Sequence, residues 1–462
     1  RVRPPPTPAA PVVQFWNDYA QFQLPPRNLR LISGLHKSVA KFDCYSQGYD
    51  LLASTEDQEQ YTDDLRRLLE AADSPMGVQM FVDVDSGFGG LAEKYLQVFR
   101  DDYPRTPVLV WGIGDSRRGG GEGAEKKWRN ELNFALGAAR LGSLSSLFIP
   151  VVNPTYTPPA DTKLPQGTPP YDPLNLYHAT APLSTAISTA LLPLRLPSPS
   201  SRRSTPTTIP LGPLIHTLTP LSDAKIVDLS LLFPRGGSPA SSLLRPRQTS
   251  RDSARDPRER RRAEGTPPGL WEREGMSAVS GWLHVSAKAS TSTSTSGDKK
   301  ARLSVFAENA VFRGLGPTPS PPDPRADPKT QPKILPWEKC YHDIKLRDSI
   351  HHMAVAVEKG VPLPFDGFPS SVLEAHKPPT QKGQEIPGYL RAPVVTDLRT
   401  HSGISERLRK SAGTLQTIAK GKRSKLAVQF AKHHIGEEEW TEAAEQLHSF
   451  AISYDPKSVN RS

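Results

Sequence analysis

The chain has 462 residues, of which 36% are hydrophobic and 48 are proline, so it can hold two or three domains while part of its length carries too little apolar side chain to pack. Its formal net charge is +10, but the basic residues are scattered or sit in low-complexity tracts, which favours solvated charge over a surface for a membrane or a nucleic acid. Only Cys44 and Cys340 are present, far apart and without metal spacing, which excludes a disulfide framework, and no apolar run is long enough to span a bilayer.

Residues 1–11 are Pro-rich and predicted disordered. The sequence opens Arg-Val-Arg-Pro-Pro-Pro without a Met, so a preceding segment is expected to be missing and no targeting signal is read from it. An aromatic cluster, Phe15-Trp16-Asn17-Asp18-Tyr19, is followed by an extended segment through Pro25-Pro26, and Phe42 to Tyr49 reads as a turn. Tyr61, Leu65, Leu68, Leu69 and Ala72 recur at helical spacing, with Glu56 and Asp57 favouring the N-terminal end of that helix. Val78 to Val82 is a buried strand by composition, closed by Asp85-Ser86-Gly87-Phe88-Gly89-Gly90, after which Leu91, Tyr95, Leu96 and Phe99 mark a helix. A strand, a glycine turn and a helix N-terminus together can hold an anion. Any α/β unit also needs such a turn, and Asp83 and Asp85 bring negative charge to this one.

Asp101-Asp102-Tyr103-Pro104 stops that helix. Val108–Ile113 and Leu147–Val152 are further apolar strands, with a helix marked by Trp128, Leu132, Ala135, Leu136 and Ala139 between them. The alternation predicts one parallel sheet covered on both faces, with residues 90–100 and 126–140 as covering helices. Ligands of such sheets sit beyond the carboxyl ends of the strands, where Asp85 to Gly90 fall. Past a Pro/Thr-rich stretch at 153–172, Ala179 to Leu192 reads as a buried helix, with Pro182 in its first turn. Strands are expected around 226–233 and 303–312, and the tracts 197–208, 235–268 and 288–300 are low in complexity. Trp440, Ala443, Ala444, Leu447 and Ala451 form an apolar stripe after Glu437-Glu438-Glu439, a helix that should dock on the body or on a partner.

No catalytic motif is present. The sequence has no zinc spacing, no nucleophile elbow and no Walker lysine, and the adjacent pairs His351-His352 and His433-His434 do not share a helix face. From the residues alone, the chain is a large α/β protein with low-complexity insertions.

Several motifs in order add a resemblance. Phe15-Trp16-Asn17-Asp18-Tyr19, Pro26-Arg27-Asn28-Leu29, Asp63-Asp64-Leu65-Arg66, Gly77-Val78-Gln79, Asp83 to Gly90, Asp101-Asp102-Tyr103 and Leu132-Asn133-Phe134-Ala135-Leu136-Gly137 resemble the Misato family of tubulin-related proteins. The likeness covers about 12–195 with islands beyond. It implies a tubulin/FtsZ-like parallel sheet flanked by helices, then a smaller α+β region and a C-terminal helix. It divides the chain into the start at 1–11, the tubulin-like region at 12–195 and a second region at 196–314 interrupted by the disordered insertions 235–268 and 288–300. A linker at 315–335 and a C-terminal region at 336–462 complete the division.

The resemblance to tubulin places Asp85, Ser86, Gly87, Gly89 and Gly90 at the phosphate loop and Asn133 at the position that reads guanine. Tubulin's hydrolytic acids would fall around 215–230, where Asp223 and Asp228 stand without a motif that assigns either. Phe88 and Asp85 depart from tubulin's bare loop, so no GTP cofactor and no metal are expected. The family implies a non-enzymatic role in mitochondrial distribution, morphology and inheritance, at the outer surface of mitochondria and in the cytoplasm. It implies protein partners at the mitochondrial surface or cytoskeleton and no specific nucleic acid. The alternative it carries is a GTP-binding, polymerising GTPase.

Overall fold

The three apolar runs of the first half come together as one sheet. The computed structural model describes residues 29–30, 32, 41–52, 55–114, 124–152, 176–196, 208–221, 223–232, 277–278, 305–313, 351–357, 361–364, 389–392, 394–421, 425–433 and 435–455. In chain order these begin with α1 (Tyr45–Leu51), α2 (Thr55–Glu70), β1 (Val78–Asp83), α3 (Phe88–Asp102), β2 (Val108–Gly114), α4 (Ala124–Leu144) and β3 (Leu147–Val152). β1 pairs with β2 and β2 with β3, both parallel. Successive side chains leave a strand on opposite faces. Val108, Val110 and Phe148 accordingly enter one core with Leu96, Phe99 and Leu136, and Leu109, Trp111, Leu147 and Ile149 enter another with Leu183, Leu214 and Leu218. Both faces of β2 and β3 are dry, which is why these two strands are apolar throughout, whereas β1, expected to be buried, leaves Gln79, Phe81 and Asp83 exposed.

The segment expected as a turn at 42–49 is instead largely helix α1. Seven residues are too few to show a period, and the helix is set by what it meets. Gln47 accepts the Cys44 amide at 3.0 Å and closes its first turn, and its body lies on α3 and α4. The helix expected from Ala179 is α5 (Leu176–Ala190), so Pro182 falls inside it and not in its first turn, and the short α6 (Leu192–Arg195) follows. The Pro-rich start, the aromatic cluster at 15–19, the tracts at 153–172, 235–268 and 288–300 and the linker at 315–335 lie outside the described residues.

After α7 (Leu211–Leu218) come β4 (Asp228–Leu232), β5 (Ser277–Ala278), β6 (Val305–Arg313), β7 (His351–Val357), β8 (Val361–Pro364), β9 (Tyr389–Ala392) and β10 (Val394–His401). Five of them form a mixed sheet in the order β5-β4-β10-β6-β7, while β8 and β9 pair with each other. Strands from both sides of 315–335 thus share one sheet. The two sheets are stitched together where the Phe148 amide donates to the Lys225 carbonyl at 2.8 Å and the Val227 amide to the Phe148 carbonyl at 3.0 Å.

The chain continues through α8 (Gly403–Lys420), α9 (Lys425–Ala431) and α10 (Glu437–Ser453). The predicted stripe docks on the body: Trp440, Ala443, Ala444, Leu447 and Ala451 are all buried in the first core, with Trp440 against Phe430 at 5.0 Å between ring centroids. Glu439 accepts the Gly436 amide at 2.8 Å, and the three leading glutamates complement the helix dipole. Arg140 on α4 donates to Glu442 at 2.8 Å.

Tyr454, fully buried just past α10, ties the C-terminal helix to the segment that stitches the two sheets. Its hydroxyl accepts the Ile226 amide at 2.6 Å and donates to the Ile226 carbonyl at 2.7 Å. Burial raises its phenol well above the ordinary value, so the proton it donates stays in place. Tyr454→Phe leaves both backbone groups without that partner and is expected to lower stability by about 2 kcal/mol in urea unfolding. A change indistinguishable from zero would show that the bridge contributes nothing net.

Candidate functional site

The turn between β1 and α3 is where the parallel sheet would meet a ligand. Its donors are engaged by the protein itself. The Asp85 amide and the Ser86 hydroxyl donate to the two carboxylate oxygens of Asp83, at 3.0 and 2.9 Å. The Gly87 amide donates to the Phe42 carbonyl at 3.1 Å, the Phe88 amide to Ser86 Oγ at 3.3 Å and the Gly89 amide to the Ser86 carbonyl at 3.3 Å. Asp83 therefore acts as an internal anion for the turn, in the place a phosphate cradle keeps for its ligand.

The glycines have a packing reason. A Cβ on Gly48 of α1 would lie 1.6 Å from the Gly87 carbonyl oxygen, and one on Gly90 would lie 2.0 Å from the Tyr45 carbonyl oxygen. At Gly87 and Gly89 it would strike the Phe42 and Tyr45 rings at 2.7 and 2.9 Å. Helix α1 and the start of α3 thus cross backbone against backbone, and no side chain fits between them.

Asn133, on α4, is fully buried beneath the same crossing. Its Oδ1 accepts the Tyr45 amide at 2.9 Å, and its Nδ2 donates to the Asp43 and Asp85 carbonyls, both at 2.7 Å. Both amide hydrogens and the oxygen are used. The structure therefore brings all six predicted site residues, Asp85, Ser86, Gly87, Gly89, Gly90 and Asn133, into one place. It joins them into a lock between α1, the turn and α4. Asp223 and Asp228 lie apart from it: Asp228 opens β4 in the second sheet, 3.4 Å from His401 Nε2.

Sequence reasoning missed the other half of the lock. Arg129 pairs with Asp43 at 2.8 Å. The Tyr45 hydroxyl donates to the buried Glu93 at 3.0 Å, and Arg140 stands 3.8 Å from the same carboxylate. Burial raises the Glu93 carboxyl above the usual range, against the opposing pull of Arg140. Burial, with Asp43 beside it, pushes the Cys44 thiol up to about 12, so it stays protonated and inert. In the sequence this segment was marked only as a turn at 42–49, and nothing local ties Asp43, Tyr45, Glu93, Arg129 and Arg140 together.

A second buried ionic cluster lies on β10 and β6, where Arg399 donates to Glu308 at 2.6 Å and also pairs with Asp397. Among the described residues there is no group of three or more His, Cys, Asp or Glu that could hold a metal, and no helix long and apolar enough to cross a membrane. His433 faces Asp50 at 2.9 Å, while His434 lies outside the described residues.

A helix-flanked parallel sheet with a glycine turn opening α3 and a buried asparagine on α4 defines a tubulin-type α/β domain. Residues 5–196 match a family model described as a tubulin domain. The chain is similar to Protein dml-1 of Neurospora crassa, 29% identical over 237 residues, which are 50% of this chain and 41% of that protein. It is similar to Protein DML1 of Phaeosphaeria nodorum, 30% identical over 150 residues, 32% of this chain and 29% of the other. It is also similar to Protein misato homolog 1 of Bos taurus, 27% identical over 240 residues, 50% of this chain and 39% of that one. The chain is thus similar to Misato and DML1 proteins, with a tubulin-domain match over residues 5–196. The matched stretch covers less than half the length of each of these relatives.

Proposed function

We propose that this protein is a non-enzymatic member of the tubulin-related group that organises mitochondrial distribution, morphology and inheritance. It acts through protein partners at the mitochondrial outer surface or the cytoskeleton, and it binds no GTP with useful affinity. The observation that carries the non-enzymatic reading is Asn133, whose three hydrogen bonds hold backbone groups of Asp43, Tyr45 and Asp85. An asparagine so committed has no free edge for a base. The self-satisfied turn above it points the same way, since its carboxylates repel a phosphate. The mitochondrial part of the reading rests on the kinship with Misato proteins.

Calorimetric titration with GTP, with and without magnesium, tests the first part. No saturable heat is expected in either condition. Submicromolar binding would replace this reading with that of a polymerising GTPase, magnesium then bridging Asp85 to the phosphates. Depletion in cells tests the second part. Clustered, unevenly inherited mitochondria are expected, and an unchanged mitochondrial network would overturn it.

A further inference from the structure

Glu93 on α3 is 5% exposed and stands where four elements meet. From α1 the Tyr45 hydroxyl donates to its Oε2 at 3.0 Å, and from α3 itself Gln97 donates to its Oε1 at 3.1 Å. The cation facing it is Arg140 of α4, whose Nε lies 3.8 Å from Oε1, attraction without a hydrogen bond. The close contact of that guanidinium goes elsewhere. Its Nη2 donates at 2.8 Å to Glu442 of α10, whose side chain is 58% exposed. One cation thus serves two carboxylates, and the solvated one holds it more closely than the buried one.

That division runs against need. A solvated ion pair contributes little, whereas a buried carboxylate short of its cation takes up a proton. Burial raises the Glu93 carboxyl; Arg140, the Tyr45 hydroxyl and Lys94 pull it down, and Glu442 pushes it further up. The hydrogen bond from Arg140 in turn holds Glu442 below the usual carboxylate range. On α1, Tyr49 faces Lys94, whose Nζ is 5.4 Å from the ring centroid, so Tyr45 is the side chain that reads the charge of Glu93. Tyr45 is also where the crossing of α1 and α3 rests. Its amide donates to Asn133 at 2.9 Å, and its ring and carbonyl exclude a Cβ at Gly89 and Gly90.

We propose that Glu442 is a control on this crossing: it competes with Glu93 for Arg140, so that neutralising Glu442 swings Arg140 onto Glu93 and tightens the hold of α3 on Tyr45. A hydrogen bond to an ionised carboxylate is stronger than one to a neutral carboxyl, and the bond from the Tyr45 hydroxyl is the one that gains. A change of charge on the outer side of α10 is in this way felt at the glycine turn, through α4 and α3. This control operates whether or not the protein binds GTP.

The test uses the whole chain with carbon-13 at its glutamate carboxyls, the Glu93 signal being assigned by its loss in Glu93→Gln. The midpoint of its titration is expected to fall by about one pH unit in Glu442→Gln, the tenfold change in proton affinity that one charge-assisted hydrogen bond supplies. Glu445→Gln removes the same charge from the exposed side of α10 one turn further along, and should leave the midpoint where it is. At the pH of the wild-type midpoint, hydrogen exchange at the Tyr45 amide should slow several-fold in Glu442→Gln. Tyr45→Phe, which keeps that amide and loses the hydroxyl, should abolish the difference. Equal midpoints in the wild type and Glu442→Gln, or a shift as large in Glu445→Gln, overturn the proposal. So does faster exchange at the Tyr45 amide in Glu442→Gln, which would make Glu442 a plain anchor of α10 on α4.

Discussion

Gly48→Val is expected to prevent folding, or to leave a protein that unfolds in the lowest urea concentrations. The Cβ it adds would sit 1.6 Å from the Gly87 carbonyl oxygen and 2.7 Å from the Leu91 amide nitrogen. Both are backbone atoms of the turn and of α3, so no rotamer change relieves them. Ordinary overpacking costs about 1–3 kcal/mol because side chains yield. Here α1 must leave α3, which exposes Tyr45 and Cys44 and undoes the bonds of Asn133. The loss should therefore exceed that range, a large share of the 5–15 kcal/mol that keeps a typical domain folded. Gly90→Ala, which meets the Tyr45 carbonyl oxygen at 2.0 Å, should behave alike. Gly413→Ala on α8 has nothing within 4 Å and should be neutral or slightly stabilising. Near-native urea midpoints for Gly48→Val would mean that the crossing of α1 and α3 is not as close as described.

Asn133→Ala should be the next most damaging change. It strips partners from the Tyr45 amide and from the Asp43 and Asp85 carbonyls in a buried setting. Each buried group left unmatched costs about 1–3 kcal/mol. Water entering the space recovers part of that, so a net loss of about 3–5 kcal/mol is expected. Asn133→Asp separates the three bonds, because a carboxylate still accepts from Tyr45 but opposes two carbonyl oxygens. It should be at least as destabilising near neutral pH and should recover in part as acid protonates it. If Asn133→Ala instead kept its stability and abolished a measured GTP affinity, the asparagine would be a base reader and not a lock.

β2 and β3 were legible in the sequence because burial on both faces leaves a one-dimensional trace. Val108-Leu109-Val110-Trp111 and Leu147-Phe148-Ile149 are apolar at every position, and their shortness and β-branched and aromatic content mark them as strands. The α10 stripe was legible for the related reason that one buried face imposes a helical period on Trp440, Ala443, Ala444, Leu447 and Ala451. Asp85, Ser86, Gly87, Gly89 and Gly90 lie together because they share one turn, whereas Asn133 was set beside them only by the resemblance to tubulin, and it meets the turn at the Asp85 carbonyl.

What those six residues do was decided by segments far away in the chain. A glycine reads the same in sequence whether its missing Cβ makes room for a phosphate or for a helix; at Gly87, Gly89 and Gly90 it is Phe42, Tyr45 and α1 that fill the space. An asparagine likewise has the same donors and acceptor in either role, and only the arrival of Asp43 and Tyr45, some 90 residues earlier in the chain, showed them spent. Helix α1 had no period to reveal it because tertiary hydrogen bonds hold it, and the order of the strands is something no local pattern encodes. Local burial patterns determined the elements; the partners of each backbone group, fixed only by folding, decided which elements meet.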